Sequence, residues 1–106
     1  MRFALAFPTM DLTEKQKKFL RGLGHDLKPT VFVGTLGITP KLIAELDETL
    51  DRHELIKVKV RVGERSERDI AISDMTRQTG ASLINRIGNI AILYRRNDEN
   101  PRVPLS

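Results

Sequence analysis

The stretch VFVGTLGITPKL, residues 31–42, holds a strand, a glycine-bounded turn and a helix start, and the fold follows from how these three are joined. Residues 30–33 are β-branched or aromatic and apolar on both faces, which predicts an inner strand. Gly34 ends it. Thr39 is a good N-cap and Pro40 a good first helical residue. Leu42, Ile43, Leu46 and Leu50 then recur at helical spacing, so a helix is expected over 40–52. No acid, thiol or histidine stands between Gly34 and Gly37, so the turn offers mainly its backbone. Free N–H groups at a helix start, reinforced by the helix dipole, favour an anion, typically a phosphate.

Working outward, Thr13 and Gln16 fit a capping box, and Phe19, Leu20 and Leu23 share one face, predicting a helix over 13–24. Pro29 then disfavours helix at Lys28. In LIKVKVRV, residues 55–62, Ile56, Val58, Val60 and Val62 alternate with Lys57, Lys59 and Arg61, the pattern of a strand with one apolar and one cationic face. Ser66 with Asp69 suggests the cap of a third helix over 67–79, closed by Gly80. Residues 82–87 and 90–95 form two short runs joined by Gly88-Asn89, a hairpin signal. The expected fold class is α/β, in the order α-β-α-β-α-β-β, with a mixed four-stranded sheet and three helices. Strand order stays open.

The chain has 106 residues, 40% hydrophobic and 30% charged, which suits one domain. Residues 1–9 are expected to be a flexible extension, with too short an apolar run for a signal peptide, and Met10 to open the domain. Residues 10–96 form the expected domain, and 97–106 a polar tail with Pro101 and Pro104, either disordered or a loosely added edge. Cysteine is absent, which excludes disulfides and thiolate metal sites. No apolar run approaches the roughly 18 residues needed to span a bilayer, so no membrane role is expected. His25 and His53 are the only histidines, no nucleophilic constellation stands out, and no enzyme activity, metal or cofactor is expected.

The net charge of +4 and pI near 9.8 tilt the partner toward a polyanion. With four phenylalanines, one tyrosine and no tryptophan, a base-stacking platform on strand aromatics is not expected. Alternate strand residues lie about 6.6–6.8 Å apart, on the scale of successive phosphates, so Lys57, Lys59 and Arg61 could track a nucleic-acid backbone. The alternative is an edge strand kept soluble by charge. The lysines of the first helix are open to a similar reading as a solvated face. The spacing of Gly34 and Gly37 occurs in KH domains, whose loop clamps nucleic-acid backbone. A P-loop is excluded, because its Gly-x-x-x-x-Gly-Lys-Ser/Thr signature is missing. A dinucleotide fingerprint is excluded by Pro40 at the third glycine position.

His25 with Leu27-Lys28-Pro29, the Gly34–Gly37 loop with Ile38-Thr39, the run HELIKVK over 53–59 and the run QTGASLINRIGNIAILYRR over 78–96 together resemble the CRM domain, the chloroplast RNA splicing and ribosome maturation family, in its bacterial single-domain YhbY-type form. The resemblance covers roughly residues 10–96. It implies a fold related to the C-terminal domain of translation initiation factor 3. It also implies RNA binding in ribosome assembly, on precursor rRNA of the large subunit, by a cytoplasmic monomer. On this reading Gly34, Thr35, Leu36 and Gly37 form a backbone clamp flanked by Lys28 and Lys41. Lys18, Arg21 and His25 extend the surface, and Lys57, Lys59 and Arg61 make a second track. The loop interior of the family is often polar or basic; here it is Thr35-Leu36, which leaves more of the binding to backbone and flanking lysines. The rival is a protein-interaction module that contacts ribosomal proteins with no direct RNA role.

Overall fold

The computed structural model describes residues 12–61 and 63–105; the expectations for residues 1–9, Met10 and Val62 lie outside them. The described residues form α1 (Glu14–His25), β1 (Val31–Val33), α2 (Pro40–His53), β2 (Leu55–Val60), α3 (Arg65–Thr79), β3 (Ser82–Ile87) and β4 (Ile90–Tyr94). The sheet order is β1-β2-β4-β3. β1 runs parallel to β2, and β4 is antiparallel to both of its neighbours, giving the expected mixed sheet.

Local chemistry sets the helix starts. Thr13 Oγ1 accepts from the Gln16 amide at 3.1 Å, and Gln16 Oε1 accepts from the Thr13 amide at 2.9 Å. Thr39 Oγ1 accepts from the Leu42 amide at 3.1 Å. α3 differs from expectation, since Glu64, not Ser66, is its N-cap. Glu67 folds back toward the helix start, where its Oε1 accepts from the Glu64 amide at 3.5 Å, the reciprocal bond of a capping box.

The sheet separates two apolar clusters. On one face Val31, Val33, Val58, Val60 and Leu93 pack with Leu42, Leu46 and Leu50 of α2 and with Ile72 and Met75 of α3. On the other, Leu20 of α1 packs with Leu55, Ile84, Ile92 and Tyr94. α1 lies low on this face: a Cβ on Gly24 would stand 2.7 Å from Ile92 Cγ2, so the helix can seat there only without a side chain at that position.

Two strand expectations are corrected by the topology. β1 is an edge strand, not an inner one; Val31 and Val33 are buried, but Phe32 is 50% exposed. β2, for which edge protection was the alternative reading, is paired on both sides. A paired strand can carry cations here because α1 packs on β2, β4 and β3 and leaves the β1 side of that face open.

The described residues beyond Arg95 add no strand, yet they are fastened. The fully buried carboxylate of Glu54 accepts from the Asn97 amide at 2.7 Å and from those of Arg102 and Val103 at 2.5 and 2.6 Å. Val103 and Leu105 then pack on the α1-side cluster. Arg95, nearly buried, reaches Asp47, Asp51 and the Thr79 carbonyl, tying β4 to α2 and the end of α3.

Glu54→Gln replaces two acceptor oxygens by one and sets an NH2 group against donor amides. Hydrogen bonds to charged groups contribute about 1.5–3 kcal/mol each, so a loss of about 2 kcal/mol or more is expected in urea unfolding. Faster amide exchange at Arg102 and Val103 should accompany it; an unchanged midpoint with protected amides would contradict the assignment.

Burial, with the Glu54 charge second and Arg96 partly opposing, holds the Tyr94 phenol above its ordinary value. The neutral phenol is therefore favoured by the fold. Its stabilisation is whole below the unfolded value near 10 and is lost as pH rises through the higher folded value. Ultraviolet titration of this sole tyrosine should give a late transition. Above about pH 10, stability should fall less steeply in Tyr94→Phe than in the wild type.

Candidate nucleic-acid interface

The loop after β1 is a four-residue turn in which the Gly37 amide donates to the Gly34 carbonyl at 3.0 Å. Thr35 and Leu36 form its tip, with Leu36 87% exposed. Its two glycines serve different ends. Gly37 has φ +69°, a left-handed backbone that strains other residues. Gly34 lies outside that region, and a Cβ there would meet nothing within 4 Å.

The helix mouth offers fewer donors than expected. The Gly37 amide closes the turn, Pro40 has no N–H, and Thr39 takes the Leu42 amide. Among the described residues, the amides of Thr35, Leu36, Ile38, Thr39 and Lys41 donate to nothing. Any backbone contact with an anion therefore falls on the loop tip together with the Thr39 and Lys41 amides at the helix start.

A groove of about 310 Å³ joins the loop to Phe32 and to Lys41 on the first turn of α2, with Glu45 as its one acid. The register sets Lys59 beside Phe32. The Arg61 guanidinium lies over the phenyl ring, 5.3 Å from its centroid, a cation–π arrangement. Phe32 is the residue that the sequence reading passed over. Its signal was its place between two valines just before the loop, but nothing in the sequence told which of the three would face water.

The other candidate residues divide. Lys57 Nζ donates to the His25 carbonyl at 2.9 Å, so this cation caps the end of α1. Only Lys59 and Arg61 of the stripe border the groove side of the sheet. Lys28 does not sit beside the loop. It lies before β1, in a depression of about 390 Å³ shared with Leu23, Leu27, His53 and Val103. Lys18, Arg21 and His25, three and four residues apart, share a side of α1 away from buried Leu20. On the far side of the loop a groove of about 440 Å³ is lined by Leu36, Ile38, Glu67, Ile70 and Asp74. The loop thus separates a basic, aromatic surface from an acidic, apolar one. Among the described residues no group of three His, Asp or Glu could hold a metal ion, and no helix is long and apolar enough to cross a membrane.

Comparison with known proteins gives a consistent result. A family model for the CRS1 / YhbY (CRM) domain matches residues 12–95. The chain is 43% identical over 88 residues to an RNA-binding protein of Haemophilus influenzae, covering 83% of this chain and 89% of that one. It is 34% identical over 94 residues to the probable RNA-binding protein YqeI of Bacillus subtilis, covering 89% of this chain and 98% of that one. Its fold superposes with a TM-score of 0.77 and 33% identity on a hypothetical protein of Staphylococcus aureus solved in solution, for which RNA binding is proposed. That match covers 91% of this chain and all of the other.

The glycine asymmetry generates a test. Gly34→Val should fold with little loss of stability, whereas Gly37→Val should lose about 1 kcal/mol or more through its left-handed backbone. If a ligand backbone passes close to the loop, Gly34→Val weakens its binding without shifting the melting temperature. Equal affinity for the wild type and Gly34→Val would remove the close approach.

Proposed function

The chain belongs to the CRS1 / YhbY (CRM) domain family, and from that premise we propose that it is an RNA-binding protein acting in ribosome assembly, on precursor rRNA of the large subunit. The observation that carries the RNA reading is the single groove that runs from Phe32 past the Gly34–Gly37 turn to Lys41, with Lys59 and Arg61 beside it. The loop tip and Lys41 hold the RNA backbone, and Lys59 and Arg61 continue the path over the open part of the sheet. Lys18, Arg21, His25 and Lys28 supply a second, more distant track around α1. The ribosomal destination rests on the family resemblance, as do a cytoplasmic location and a monomeric state. The reading requires no metal or cofactor.

A second reading has its own observation. Leu36 and the 63%-exposed Ile70 stand beside Glu67 and Asp74, a surface suited to an apolar, basic protein segment. Salt separates the two. Binding that neutralises about four phosphates of single-stranded RNA should weaken with a log–log slope of roughly −3, whereas apolar docking should resist salt.

Crosslinking in cells followed by sedimentation should recover the protein with large-subunit precursor particles, joined to their rRNA. Crosslinks confined to ribosomal proteins would favour the second reading. In vitro, Lys41→Ala and Lys59→Ala should each lower RNA affinity across sequences and reduce the salt slope by up to about one. Lys28→Ala should do so less. Affinity and slope unchanged in both Lys41→Ala and Lys59→Ala would sink the path drawn here.

A further inference from the structure

We infer that Phe32 is a stacking site for one unpaired nucleobase, so that the RNA bound here is single-stranded or looped at this point. The inference rests on the RNA-binding reading above and adds what that RNA must present.

Val31 and Val33 are completely buried, while Phe32 between them stands half-exposed on the sheet face that α1 leaves open. A phenyl ring held in water on an edge strand adds little to the core, but it gives a flat apolar surface on a rigid support. The Arg61 guanidinium already lies over it at 5.3 Å, the place a planar base would take. That side chain is exposed and long enough to swing aside to an adjoining phosphate. Gly34 is two residues on, just past the end of β1, at a separation of about 6.6 Å if the chain stays extended, a spacing like that of successive phosphates. The ring and the turn line one groove, so a nucleotide stacked on Phe32 puts its neighbouring phosphate at the loop. Lys41, Lys59 and Arg61 against the single acid Glu45 make the surroundings attractive to a polyanion rather than to an apolar protein segment. A duplex cannot use the site, because its bases are already stacked on one another.

The test compares wild type, Phe32→Leu and Phe32→Tyr on two probes: a single-stranded oligoadenylate RNA of about ten nucleotides, which spans a site of ordinary size, and an abasic strand of the same length. Leucine keeps the apolar bulk of an edge residue, and a melting curve checks the fold. Phe32→Leu should weaken oligoadenylate binding by roughly five- to a hundredfold, the range of base–aromatic stacking. It should leave abasic affinity and the salt slope unchanged, and Phe32→Tyr should recover most of the loss. Independently of any variant, the Phe32 ring protons of the wild type should shift upfield with oligoadenylate and not with the abasic strand. Undiminished oligoadenylate affinity in folded Phe32→Leu, or ring protons indifferent to the bases, overturns the stacking site. If Gly34→Val still loses affinity in that case, the RNA reading survives without it. A wild type that binds neither strand overturns both.

Discussion

One buried carboxylate organises the end of the molecule opposite the loop. Glu54 stands where α2 turns into β2, with φ +64°, a conformation uncommon outside glycine. Its amide closes α2 on the Leu50 carbonyl, and its own carbonyl accepts from the Arg95 amide just past β4. Its side chain takes three amides of the tail. A charge without solvent is tolerated when donors surround it. The same charge raises Tyr94, after burial itself. Helix end, strand end and tail are thereby fixed relative to one another, with Arg95 adding a second tie from β4 to Asp47 and Asp51 of α2.

That anchoring has a consequence at the far end of α2. The helix starts at Pro40, capped by Thr39, directly after the glycine turn. Because α2 is held by Leu42, Leu46 and Leu50 in the core and by Glu54 and Arg95 at its end, the turn projects from a rigid support. Rigid support matters for a surface that would recognise a ligand through backbone amides and one aromatic ring, since loose groups must be ordered at the cost of affinity.

The parts of the fold that depend on neighbouring residues were legible in the sequence. Thr13 with Gln16, Thr39 with Pro40, the alternation of β2 and the Gly88 hairpin all concern groups within a few positions of each other. What the sequence withheld depends on distant partners. Val31-Phe32-Val33 is apolar throughout, and only the finding that α1 stops short of β1 makes Phe32 a surface residue. Glu54, an acid beside His53, looks like surface chemistry until the tail, 43 to 49 residues later, comes back to it. Lys57 was indistinguishable from Lys59 in an alternating run. The difference is that the end of α1 comes to rest over one and not the other. Of the candidate site, the loop and Lys41 could be read together because they stand close in sequence; Lys28, only a little farther in number, lies beyond the other end of β1.

The same strand register serves core and surface. Val58 and Val60 are buried against α2 and α3, and Lys59, between them, faces the opposite way with Phe32 and Arg61. A slip of one residue would drive Lys59 into the apolar layer and expose the valines, so the hydrophobic demand of the core alone sets where the cations stand. α1 completes the arrangement by what it leaves uncovered. Gly24 lies close on Ile92 as α1 packs on β2, β4 and β3, and Lys57 donates to the His25 carbonyl at the helix's last residue. The face of the sheet at β1 stays open because α1 packs on the other three strands, and the register that buries Val58 and Val60 leaves Lys59 and Phe32 on it.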